Sequence, residues 1–207
     1  MKKCVIFCAG EFKELLRPVG GDELVIAADA GLLHTQEIGL VPDIILGDFD
    51  SLGTVPEGAE VFPVEKDDTD SMLAIKRGLQ MGCDTFYIYG ALDGKRVDHT
   101  LANFQALHYL ADHGARGWLI GKREIVTVIQ NSKLVFPPYF TDYLSVFCLG
   151  EDAKGVSIRG AKYEMDNAVL SARFPLGISN QFVQKKVTVE VADGTLLLIW
   201  RRRNGLL

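Results

Sequence analysis

Short apolar runs alternate with helix-spaced positions through residues 1–123. The runs at 3–9, 24–28, 43–46, 61–64 and 85–89 read as short buried strands, and 118–120 adds one more. Between them, residues 71–81 set Met72, Ile75 and Leu79 at helical spacing. Residues 99–112 do the same with Leu101, Phe104, Leu107 and Leu110. Such alternation predicts an α/β domain: a mostly parallel sheet with helices on both faces. In sheets of this kind a ligand lies beyond the carboxyl ends of the strands.

The pattern changes over residues 124–207. Runs at 125–129, 134–136, 144–148 and 186–191 are strand-like and are separated by Pro137-Pro138, Gly150, Gly155, Gly160 and Gly177. Val187, Val189 and Val191 point one way while Thr188 and Glu190 point the other. Asp193-Gly194 reads as a two-residue hairpin leading into residues 196–200. This half predicts an antiparallel β-sandwich or barrel.

Composition narrows the class. Of 207 residues, 48% are hydrophobic and 24% charged, the balance of a soluble globular chain. A net charge of -5 repels phosphate overall, so nucleic acid is not the expected partner. No apolar run approaches the ~18 residues that span a bilayer, so no membrane association is expected. Lys2-Lys3 and the apolar residues after them are cut short by Gly10-Glu11, which favours a first strand over a secretory signal. Cys4 and Cys8 share a strand face about 13 Å apart, too far to bridge. Cys83 and Cys148 read as isolated. A cytoplasmic protein with reduced thiols is expected.

The informative feature is where acidic residues fall. Asp29 follows the second run, Asp48 and Asp50 the third, Asp67, Asp68 and Asp70 the fourth, and Asp93 and Asp98 the fifth. In a parallel sheet these positions gather along the ligand-binding edge. Helix capping accounts equally well for Asp29 and for Asp70 or Thr69 ahead of Ser71, and less well for Asp98. Gly47-Asp48-Phe49-Asp50-Ser51 asks for more, because one cap needs one carboxylate. If extended, it sends both carboxylates to one side about 7 Å apart. They repel unless a cation or a shared proton lies between them. Carboxylates together with substrate phosphates are the Mg²⁺ pattern. Lys66-Asp67-Asp68-Thr69-Asp70 and the loop Gly90 to His99, with Lys95 and Arg96, each end at a helix start suited to an anion. The second is not a Walker A loop, since it is one residue short and Arg96 stands where Ser or Thr belongs.

Four motifs in order carry a resemblance: Gly47-Asp48-Phe49-Asp50-Ser51, Lys66-Asp67-Asp68-Thr69-Asp70, Arg96-Val97-Asp98-His99 opening Thr100-Leu101-Ala102-Asn103, and Ile178-Ser179-Asn180-Gln181-Phe182. Together, over residues 27–182, they resemble the bacterial thiamin pyrophosphokinases. The resemblance implies transfer of the terminal diphosphate of ATP to the hydroxyethyl oxygen of thiamine, with Mg²⁺ as cofactor. It also implies an ATP-binding catalytic α/β domain (1–123), a thiamine-binding β-sandwich (124–207), and a homodimer whose sites are shared between chains. Carried over by position, Asp48, Asp50, Asp70 and Asp98 form the catalytic acidic group, with Asp48, Asp50 and Asp98 on metal. Asp29, Lys66, Thr69, Lys95, Arg96 and His99 would meet ATP. Ser179 and Asn180 would hold the aminopyrimidine, and Phe182 would offer thiamine an aromatic face. The family's Asp-Gly-Gly is here Asp29-Ala30-Gly31, and Lys95 lengthens the loop before Arg96 by one residue.

Two other classes fit parts of the pattern. A different Mg²⁺-dependent nucleotide transferase or phosphatase also uses paired aspartates, although a haloacid-dehalogenase-like enzyme wants them after the first strand, where Ala9-Gly10 stands. A non-catalytic thiamine or nucleotide binding module has no need for four clustered acids.

Overall fold

The computed structural model describes residues 1–65, 67–94 and 96–202. Two compact units divide the chain, Met1–Lys122 and Arg123–Leu207.

In the first unit six parallel strands pair in the order β6 (Arg116–Ile120), β5 (Thr85–Tyr89), β1 (Lys3–Phe7), β2 (Leu24–Ala28), β3 (Ile44–Gly47) and β4 (Glu60–Val61). The chain builds outward from β1 to β4, then returns to β1's other side with β5. The switch point therefore lies between β1 and β5, whose following strands β2 and β6 lie on opposite sides of the pair. Helices α2 (Asp70–Gln80) and α3 (Val97–Asp112) cover the face that carries Cys4, Phe86 and Gly117. Helix α1 (Gly31–Glu37) lies on the other face, where Phe12 packs between Phe7, Tyr89 and His34. There Arg17 stacks over the Tyr87 ring at 4.1 Å and donates to Glu23 at 2.7 Å.

Several expectations change in detail. The run at 61–64 pairs only through Glu60–Val61, and Val61 and Val64 are exposed. It is a sheet edge, and Pro63 has no N–H to extend the ladder. Leu101 is likewise exposed, and α3 buries Asn103, Ala106, Leu107 and Leu110 instead. Seven-residue α1 is too short to show a period. Cys83 is not isolated: its thiol donates to Lys3 O at 3.7 Å, and its nearness together with burial pushes the Cys4 thiol upward. The cysteines are free thiols.

The second unit is a pair of antiparallel sheets. One runs β12 (Asn180–Gln181), β9 (Tyr143–Cys148), β14 (Thr195–Arg201), β7 (Glu124–Gln130). The other runs β11 (Met165–Leu170), β10 (Ala153–Arg159), β13 (Val187–Glu190), β8 (Lys133–Phe136). Phe136 of one sheet meets Trp200 of the other with ring centroids 5.2 Å apart, both fully buried. Residues 153–159 and 165–170 are not anticipated as strands: in the first, polar residues and Gly155 interrupt the buried Ala153, Val156 and Ile158, and the second is mostly exposed. Asp193-Gly194 is not a hairpin. It joins β13 to β14, which lie in different sheets, and Asn131 braces it by accepting from the Gly194 N–H at 2.8 Å.

No helix among the described residues is long and apolar enough to cross a membrane.

Candidate active site

The ends of the parallel strands set the site. Strands β1 and β5 stay tied just beyond their ends by Cys8 N–H to Tyr89 O and Gly10 N–H to Gly90 O, both 2.9 Å. Strand β2 ends at Asp29, whose backbone has φ +48° and donates to Leu46 O at 2.8 Å. Gly47 ends β3 with φ +149°, and a Cβ there would stand 3.1 Å from the Asp29 nitrogen. Glycine thus lets β3 pass close enough to bring its aspartates beside Asp29.

Carboxylate oxygens of Asp29, Asp48 and Asp50 all lie within 4.8 Å of one another. The Asp-Phe-Asp segment achieves this without being extended. Phe49 is left-handed at φ +58° and buried, and its carbonyl accepts from Leu52 and Gly53 N–H in a tight turn. The turn, rather than strand alternation, draws the two carboxylates together. Asp29 is buried, Asp48 half-buried and Asp50 exposed, so the group grades from the sheet edge to solvent. Asp29 Oδ1 is buried without a hydrogen-bond partner. A buried carboxylate oxygen in that state is costly unless a cation faces it. Three converging hard oxygens fit a divalent metal that also holds phosphate.

These carboxylates line a cleft of about 530 Å³ together with Cys8–Gly10, Thr69, Asp70, Arg96 and His99. Thr69 caps α2 by accepting from Met72 N–H at 3.2 Å, which places Asp70 on the first turn. Burial, and then the nearby Asp70 charge, pushes the Cys8 thiol up to about 12, so it stays neutral and unreactive. Ala30 sits at φ -63°, so alanine fits this family-variant turn without strain.

Asp98 stands apart from the three-carboxylate group. Its two oxygens take Arg96 Nε at 3.2 Å and Nη2 at 2.5 Å. Those bonds hold its carboxyl below the ordinary range, and both side chains are exposed. Asp68 is similarly engaged by Lys76 at 2.6 and 2.8 Å, and Asp93 accepts from the Lys122 N–H. Lys66 and Lys95 lie outside the described residues.

In the second unit, Ser179 is left-handed at φ +58° and its N–H donates to Ser145 Oγ at 3.0 Å. Asn180 is buried and bonded through both ends of its amide. Its Oδ1 accepts from Tyr163 and Gln181 N–H, and its Nδ2 donates to Tyr163 O at 2.6 Å. Phe182 is 7% exposed and packs between Phe136 and Phe140.

Residues 19–119 match the family model for thiamin pyrophosphokinase, catalytic domain, and residues 127–196 match that for thiamin pyrophosphokinase, vitamin B1 binding domain. Thiamine pyrophosphokinase of Bacillus subtilis (strain 168) is 30% identical, over 95% of this chain and 98% of the relative. The chain belongs to the thiamin pyrophosphokinase family. Among solved structures, thiamine pyrophosphokinase from Bacillus subtilis superposes with a TM-score of 0.86 at 25% identity, covering the whole of both chains. Thiamin pyrophosphokinase from Geobacillus thermodenitrificans gives 0.82 at the same identity and full coverage. The Candida albicans thiamin pyrophosphokinase shares the fold alone: TM-score 0.78 at 16% identity, over 97% of this chain and 89% of that one.

Ser51, Ser71 and Asn103, to which the sequence assigns no role, also line the cleft. Asn103 carried a usable signal: a polar residue one turn before Leu107 on the helix's inward stripe.

Proposed function

We propose that the carboxylate cleft of the N-terminal unit is where this thiamin pyrophosphokinase-family enzyme binds ATP with Mg²⁺ and transfers its terminal diphosphate to the hydroxyethyl oxygen of thiamine. The products are thiamine diphosphate and AMP. The observation that carries this reading is the meeting of Asp29, Asp48 and Asp50, with Asp29 Oδ1 buried and unpartnered, in the cleft that Asp70 and Arg96 also line.

Asp29, Asp48 and Asp50 would hold Mg²⁺. When bound, it neutralises phosphate charge and favours departure of the AMP oxygen. The thiamine hydroxyl attacks the β-phosphorus, and the bond from that phosphorus to the bridging α–β oxygen breaks. Asp70 takes the hydroxyl proton, since it lines the cleft, while the Arg96 bonds lower the Asp98 pKa and make its carboxylate the weaker proton acceptor. Asp98 in turn steadies Arg96 at the cleft for the phosphates. Thr69, His99, Lys66 and Lys95 complete the proposed ATP contacts. Ser179 and Asn180 are the proposed thiamine contacts. Phe182 is the proposed aromatic contact to thiamine and packs its segment against the aromatic core.

Thiamine is a cation, and an acidic cleft attracts it before binding. The working form is proposed to be a cytoplasmic homodimer with sites shared between chains. Phosphorus NMR of ATP, Mg²⁺ and thiamine with the enzyme tests the reading. AMP and thiamine diphosphate support it. ADP, free phosphate or unchanged ATP refutes it.

A further inference from the structure

The cleft wall contains a buried amide that the proposed chemistry does not use. We propose that Asn103 is a positioning residue, holding Asp70 in place through Ser71 by tying the start of α2 to the turn after β5. The proposal rests on the diphosphate-transfer reading above.

Asn103 lies on α3 and is 7% exposed. Its Nδ2 donates to Ala91 O at 2.7 Å, and its Oδ1 accepts from Ser71 Oγ at 2.8 Å. The Ala91 carbonyl can only accept, which fixes which end of the amide faces it. The Ser71 proton is then committed to Asn103. The 3.0 Å contact between Thr69 Oγ1 and Ser71 Oγ must therefore be Thr69 donating to Ser71. Thr69 Oγ1 keeps a lone pair for Met72 N–H, the cap of α2.

Each hydrogen bond along Met72, Thr69, Ser71, Asn103 and Ala91 has one direction. Such a closed directional chain has no second arrangement of equal quality. Asp70 sits between the two hydroxyl residues of this chain, so its backbone is held from both sides. Ala91 begins the loop that leads to Arg96. One side chain thus sets the spacing between the proposed proton acceptor and the phosphate-facing loop. A helix start freed to drift by an ångström would cost about 10²-fold in rate.

Steady-state AMP formation by the full chain, well below each variant's unfolding temperature, tests the idea. The variants are Asn103→Ala, Ser71→Ala, Asp70→Asn and the double Asn103→Ala/Asp70→Asn. Asn103→Ala is expected to lower kcat ~10–100-fold and raise KM for ATP several-fold, leaving KM for thiamine within about twofold. In the Asp70→Asn background the same change should slow the enzyme by less than about threefold, because the group being positioned is already disabled. Loss of folded protein alone lowers kcat and leaves both KM values and the double-mutant ratio unmoved.

Ser71→Ala breaks the tie to α2 but keeps the Ala91 bond, and should show the same pattern if Asn103→Ala fails to fold. Equal rate losses in both backgrounds, or single variants within about twofold of wild type, overturn the positioning role while the transfer reading stands. A wild-type chain that forms no AMP overturns both.

Discussion

In the N-terminal unit the polar groups of interest stand at strand ends with spare capacity. Asp29, Asp48 and Asp50 crowd one another, and Asp29 Oδ1 has no hydrogen-bond partner. In the C-terminal unit the corresponding candidates are spent on the fold. Asn180 uses its oxygen and its nitrogen on backbone groups, and Phe182 fills the core beside Phe136. The first arrangement gathers carboxylates with one buried oxygen unpartnered, and the second is taken up by backbone bonds and packing. Substitutions in the two units should therefore fail differently, one in rate and the other in stability.

The largest effect is expected in the aromatic core. Phe136 is fully buried and meets Phe140, Phe182 and Trp200 at 5.2–5.5 Å. Phe136→Ala should cost about 3–5 kcal/mol of stability. Denaturant unfolding that follows the second unit's tryptophan would measure it. A loss under ~1 kcal/mol would mean the sandwich core repacks freely, and the contrast between the units would weaken.

Next comes the cleft. Asp50 is exposed at the outer end of the carboxylate group and carries little of the fold. Asp50→Asn should leave the unfolding midpoint near wild type while lowering kcat at least ~100-fold, about 2.7 kcal/mol of barrier. A stability loss comparable to that of Phe136→Ala, with near-normal kcat, would reverse the assignment of roles.

The middle case is Asn180, buried yet proposed to meet thiamine. Asn180→Ala removes three hydrogen bonds and strands Tyr163 N–H and C=O, which should cost about 1–3 kcal/mol. Ser179→Ala, whose structural bond is made by its backbone N–H, should barely change stability. If Ser179→Ala nonetheless raises KM for thiamine, the hydroxyl is the contact and Asn180 is its scaffold.

These cases also indicate what the sequence reveals. The parallel sheet was legible because β1, β2 and β5 are continuous apolar runs, and Asp48 with Asp50 because two carboxylates after one strand exceed any capping need. The Asp29 partnership was hidden. It depends on φ at Asp29 and on Gly47 passing close to its backbone, and neither leaves a local pattern. Strands β10 and β11 were hidden for a different reason, since a register shift between Ala153 and Val156 breaks the alternation in β10 and β11 is mostly exposed. Asn180 and Phe182 could be named as a motif. Whether such residues face a ligand or the core is decided by long-range contacts with Tyr163 and Phe136.

The smallest effect concerns Arg96 and Asp98, a pair on the cleft side of the contrast that is fully exposed. The Arg96 bonds depress the Asp98 pKa, so its folded value lies below the unfolded one. The folded chain then releases the Asp98 proton more readily than the unfolded chain does. The pair's contribution is present above the ordinary carboxylate pKa and is lost as pH falls through the depressed folded value. Exposure and salt screening keep it small. Melting curves of wild type and Asp98→Asn should differ slightly at neutral pH and low salt, then converge in acid. The same gap should close at neutral pH when salt is raised to about 1 M, where the screening length falls to about 3 Å. A gap that persists in both acid and high salt would mean that Asp98 acts through some contact other than Arg96. The pair would then no longer resemble the ligand-ready cleft and would belong with the structural polar groups of the second unit.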